Sequence, residues 1–196
     1  MNSSSSPDPD GDVFLRCKDQ DTGIPRSFRV SSKVLRLASP VFARLLGPSF
    51  QEGQKLRQEG CVVVELEDDD APLMKLILDV LHYQADITYQ DVNAEKLARL
   101  AIHCDKYDCT KALGPWVSTW FKDVAVTPGD MVELGFRLLA AYLLNDSGRF
   151  AQISKEAMEE VTSNFSMIWE EKEIATLLPS GLPSKSDNSS VNCDCD

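Results

Sequence analysis

The sequence predicts an α+β fold, and three observations carry that expectation. Period-two alternation of apolar residues is confined to the first third of the chain. Helical spacing dominates everything after it. The composition, 43% hydrophobic and 26% charged, is that of an ordinary globular protein. Strands grouped early and helices late give α+β rather than a doubly wound sheet. The 196 residues suffice for one domain with a full core and an appended helical piece.

Residues 1–10 are mostly Ser, Pro and Asp, too polar to offset their ordering entropy, and are expected to be disordered. In "DVFLRCK", Val13, Leu15 and Cys17 fall on one face, a strand pattern. The turn-rich "DQDTGIP" follows, with Gly23 free to take a positive φ, and "RSFRV" returns as the second arm of a hairpin. "SSKVLRLA" opens a short helix with Ser31 as its cap. "SPVFARLLG" restarts helix with Ser39 as cap, Pro40 at the first helical position and Gly47 as the stop. "PSFQEGQKLRQEG" reads as a polar loop and "CVVVEL" as a buried strand. The acidic run "DDDAP" then starts a helix, with Asp70 as cap, Pro72 in the first turn and the carboxylates solvated near the positive end of the helix dipole. Helices follow to about residue 178, and 179–196 form a second polar tail.

Charge and motifs exclude several function classes. Twenty Lys and Arg against 31 Asp and Glu give a net charge of −11, which disfavours binding to a nucleic-acid backbone. The N-terminus has neither the basic nor the apolar region of a secretory signal, and no apolar run approaches the ~20 residues of a membrane span. A soluble protein of the cytoplasm or nucleus is expected, with no direct nucleic-acid or membrane partner. Its six cysteines then read as free thiols or small hydrophobes. There is no glycine-rich phosphate loop, and neither of the two histidines, His82 and His103, is accompanied by a Gly-rich nucleophile turn such as G-x-S-x-G. An enzyme is not expected, nor a cofactor.

"HCDKYDC" packs His103, Cys104, Asp105, Asp108 and Cys109 into seven residues, all metal-ligating types. At about 100° per residue, Cys104 centres on the apolar stripe of Leu97, Leu100 and Ala101, while Cys109 lies about 140° away and His103 about 100° from Cys104 and about 120° from Cys109. Ligands splayed in this way cannot close a tetrahedron around one ion. The stretch reads as the end of a core helix, and no metal is expected.

Five short motifs in order then resemble the BTB/POZ domain, over about residues 11–122. They are Asp12-Val13 opening the first strand, Phe28 in the second, Ser39-Pro40-Val41-Phe42, the leucine-rich helix from Leu76 to Tyr83, and Cys104-Asp105-Lys106-Tyr107. The segment over 123–178, with "LGFRLLAAYLLNDSGRFAQIS", resembles the helical extension of fungal single-BTB proteins. The resemblance implies a small three-stranded sheet flanked by a cluster of helices. It implies protein partners, a homodimer with an interface around Asp12, Val13, Val34 and Leu35, and in many members docking of a cullin scaffold for ubiquitin transfer. Phe50-Gln51-Glu52 fits the hydrophobic-x-Glu motif of cullin-binding members, Phe50 as anchor and Glu52 fixing orientation. Ser32 stands where dimeric transcription-factor members carry a basic residue opposite the Asp, so their charged pocket lacks its cation here. A substrate-recruiting adaptor of a cullin ubiquitin ligase is one implied function. A transcriptional or chromatin co-regulator acting through BTB dimerisation is the other.

Overall fold

The computed structural model describes residues 4–85, 92–124, 127–160 and 169–171. The chain is α+β, with one small mixed sheet and eight helices among those residues. The sheet holds β1 (Ser4–Ser5), β2 (Val13–Lys18), β3 (Pro25–Val30) and β4 (Val62–Asp70), in the order β1-β3-β2-β4. β2 and β3 form the expected hairpin, pairing Val13 with Val30 and Leu15 with Phe28, so the apolar residues of both arms share the buried face. Gly23 takes a φ of 69° in the turn, as read from the sequence. The Thr22 backbone N–H holds the Asp19 carboxyl below its ordinary range, at 2.8 Å.

Three local expectations are corrected. β4 is longer than 61–66 and is buried on one face only, with Val62, Val64 and Leu66 inside and Val63 exposed, because helices cover a single face of the sheet. Residues 51–59 are helix rather than polar loop. Part of the first ten residues is docked: from Ser4 the chain runs parallel to β3, and the Asp8 N–H donates to the Arg29 carbonyl at 3.2 Å.

The helices are α1 (Ser32–Ala38), α2 (Pro40–Leu45), α3 (Gln51–Glu59), α4 (Ala71–Leu81), α5 (Ala94–Lys106), α6 (Thr110–Asp123), α7 (Met131–Leu143) and α8 (Ser147–Glu160). Ser39 caps α2 as expected, its Oγ accepting from the Phe42 N–H at 3.0 Å, with Pro40 in the first turn. The same hydroxyl donates to the Tyr107 carbonyl, and the Phe42 and Tyr107 rings stack with centroids 4.5 Å apart. Ser31 occupies the cap of α1 without a side-chain bond. α4 is buried along nearly its whole length, from Ala71 to Leu81. α7 packs against α5 and α8 against α7, so residues of the 123–178 segment join the same hydrophobic cluster as the sheet. Cys193, Cys195 and the tail over 179–196 lie outside the described residues.

Candidate functional site

Phe50 sits at the N-cap of α3 in extended backbone and is 47% exposed. Gln51 and Glu52 open the helix itself. The helix was illegible because Leu56 is its only aliphatic residue, so it shows no apolar stripe. Gly53 fixes its place: a Cβ there would overlap the Gly47 carbonyl oxygen, so only glycine lets α3 lie on the preceding loop. The Phe50 N–H donates to that carbonyl at 3.3 Å, and the Gln54 side chain reaches the Pro48 carbonyl at 3.2 Å. The Phe50 ring is therefore carried by a tethered helix start.

The molecule has a second apolar surface. α1, the end of α4 and α6 frame an apolar groove of about 540 Å³, lined by Val34, Leu37, Val80, Tyr83, Pro115 and Trp116 among others, none of them charged. Leu37 is 90% exposed and Tyr83 96%. Tyr83 stands out because of a backbone constraint. It closes α4 with φ 58°, while the Gln84 N–H donates to the Asp79 carbonyl at 2.7 Å, the left-handed helix ending that favours Gly or Asn. A bulky residue in that conformation is an outlier, and strain of this kind clusters at functional sites. Periodicity marks Leu37 and Tyr83 as apolar but does not separate an exposed apolar residue from a core one.

The four residues expected around a dimer interface divide. Val13 and Leu35 are fully buried in the chain's own core, so neither side chain is offered to a partner. Val34 is half-buried in the groove wall, and Asp12 is half-buried. Asp12 accepts the Ser32 N–H and the Ser32 hydroxyl, each at 2.7 Å, so Ser32 satisfies this carboxylate where a cation is absent. None of Phe50, Gln51 and Glu52 lines the groove.

The acidic run is the largest departure from expectation. Asp69 and Asp70 are buried, not solvated, and Asp70 holds the N-cap position of α4 as expected but makes no side-chain bond to that helix. The β2–β4 register explains the burial. It runs evenly to Arg16 opposite Glu65, then resumes only at Lys18 opposite Asp70, and the excursion turns Asp69 inward. Asp69 Oδ2 accepts the Tyr107 hydroxyl at 2.6 Å and Lys106 Nζ at 2.9 Å. Asp70 accepts the Gln20 N–H at 3.0 Å and lies 3.7 Å from Arg99.

His103 completes this group. The Asp70 N–H can only donate, so Nε2 of His103, 3.2 Å away, accepts, and Nδ1–H donates to the Arg99 carbonyl at 2.9 Å. Its Nε2 lone pair then faces Asp69 Oδ1 at 3.5 Å, which leaves that buried oxygen without a donor. Tyrosine, aspartate and histidine here resemble a proton relay. With Asp69 1% exposed and each donor committed, the arrangement ties β4 to α5. Burial and the Asp69 carboxylate hold the Tyr107 hydroxyl far above its ordinary range, and burial pushes the Cys17 thiol up to about 12.

"HCDKYDC" has a changed geometry. Cys104 is buried in the core as expected, but Cys109 is buried too, at the N-cap of α6, with its Sγ 3.7 Å from the Cys104 carbonyl. Extrapolating 100° per residue fails beyond Lys106 because Asp108, with φ 47°, turns the chain back. The neighbouring Cys109 side chain, followed by burial, raises the Cys104 thiol well above its usual range. Among the described residues, no group of three or more His, Cys, Asp or Glu could hold a metal ion. Among the same residues, no helix is long and apolar enough to cross a membrane. No protein-family model matches this chain, and no curated protein matches it either.

Proposed function

We propose that this chain is a protein-interaction module of the BTB/POZ kind that assembles with itself or with other proteins, and that Phe50-Gln51-Glu52 docks a cullin scaffold. One observation carries the reading: large apolar side chains, Leu37, Phe50 and Tyr83, are held in solvent on fixed elements. Such anchors supply most of the binding energy in protein interfaces once a partner desolvates them. Phe50 is anchored by α3, and Glu52 lies in the first turn of the same helix, where a carboxylate is also favoured by the helix dipole.

The test is retention of a purified cullin scaffold by the full chain, beside light scattering of the chain alone. Cullin retention that falls at least tenfold with Phe50→Ala and with Glu52→Lys supports the docking role. Retention that neither substitution changes removes it. A chain that is monomeric at micromolar concentration and retains no cullin overturns the whole reading.

A further inference from the structure

We infer that the groove between α1, the end of α4 and α6 receives an acidic amphipathic segment of a partner protein. The inference rests on the interaction-module reading and names the chemistry of the partner. The floor and walls are uncharged, so the groove itself selects apolar side chains, with Leu37 and Tyr83 as its exposed lips. The charge comes from the helices that frame it. α1 carries Lys33 and Arg36, and α6 carries Lys111 and Lys122 against one acid, Asp123, while α4 adds one charge of each sign, Lys75 and Asp79, which pair with each other. This local excess of cations stands in a chain whose net charge is −11.

Two of the cations flank the groove by helical geometry. Lys33 lies one turn before Leu37, and Lys111 one turn before Pro115, and residues four apart on a helix are neighbours on its surface. All four cations of α1 and α6 are exposed, and none pairs with a carboxylate among the described residues. Unpaired lysines beside an apolar cleft lower the energy of an approaching carboxylate and speed its encounter. A second copy of this chain seated symmetrically, α1 against α1, would set Lys33 and Arg36 against their own kind, which is unfavourable. The observations therefore favour a partner of opposite charge.

The experiment uses two labelled peptides with leucines at helical spacing, one with glutamates on its other face and one with lysines. Each is titrated into the full chain, and anisotropy is read beside the fluorescence of Trp116, which lines the groove. The glutamate peptide is expected to bind at least tenfold more tightly than the lysine peptide, and to weaken as salt rises. Leu37→Asp should reduce that binding at least tenfold, and so should Lys33→Glu with Lys111→Glu. The charge-reversed variant should also turn the preference toward the lysine peptide. All three side chains are solvent-facing, so the variants are expected to keep the wild-type melting temperature. Equal binding of both peptides, binding of neither, or binding unchanged by the variants overturns the inference. A dimer in light scattering that Leu37→Asp dissolves also overturns it, while leaving the interaction-module reading in place.

Discussion

The C-terminal ends of α4 and α5 use the same devices and differ in the residue that takes the left-handed conformation. Each ends with a left-handed residue and a long backbone return, Gln84 N–H to the Asp79 carbonyl in one and Cys109 N–H to the Cys104 carbonyl in the other. Each also carries a buried histidine whose Nδ1–H donates one turn back, to Leu78 for His82 and to Arg99 for His103. Nε2 of each accepts the N–H of the residue at the N-cap position of a different helix, Ser31 at α1 for His82 and Asp70 at α4 for His103. The two imidazoles thus splice one helix end to another helix start. The left-handed residue itself is Asp108 after α5 and Tyr83 after α4. Asn145 closes α7 in the same way, so the end of α4 alone among these three uses a residue unsuited to the conformation. An end that needs only to stop a helix takes Asp or Asn. The end that borders the groove takes a tyrosine.

The comparison can be broken at the histidines first. His82→Ala and His103→Ala each leave an N-cap N–H without its acceptor, part-buried at Ser31 and buried at Asp70, and a cavity beside it, and each should cost about 2–3 kcal/mol in denaturant unfolding. A loss of under about 0.5 kcal/mol at either site would end the analogy. Tyr107→Phe has no counterpart at α4. It removes the short bond to Asp69, and about 1.5–2 kcal/mol should be lost. The sign with pH follows from the raised values of Tyr107 and Cys17. A raised group contributes fully below its ordinary value, and the contribution is lost as pH rises. Stability should therefore fall from about pH 9 toward 12, and Tyr107→Phe should flatten that fall.

Smaller effects sharpen the difference between the ends. Tyr83→Gly should stabilise the fold by about 1 kcal/mol, and Asp108→Gly by only a few tenths, since Asp tolerates the left-handed region. Equal gains would show that Tyr83 carries no special strain. The subtlest check is chemical. In the native state, Cys61 should alkylate readily at pH 8, while Cys17, Cys104 and Cys109 react only after unfolding, because the first is exposed and the others are buried with Cys17 and Cys104 held protonated. Peptide mapping after a short iodoacetamide pulse separates them.

What was legible in the sequence was local. Alternation placed the β2–β3 hairpin, Ser39 and Pro40 marked the start of α2, and the stripe around Leu97 put Cys104 in the core. What was illegible depends on partners far along the chain. Asp69 is buried because Tyr107, 38 residues on, donates to it, and no window around "DDD" contains that donor. α3 shows one leucine and stays hidden because its anchor is a backbone contact at Gly53 rather than an apolar face. The groove is hidden for a different reason. Leu37 and Tyr83 are apolar like their buried neighbours, and only the packed structure shows that no described residue covers them.

The stretch from Ser4 to Asp8 along β3 bears on how this protein is produced. A terminus so rich in Ser, Pro and Asp invites trimming before expression, on the view that it is dispensable. Removing it would uncap the outer rim of β3, whose free peptide groups would then be open to strands of neighbouring molecules. A shortened version starting at Asp12 should therefore be the less soluble protein, although what it lacks is mostly Ser, Asp and Pro.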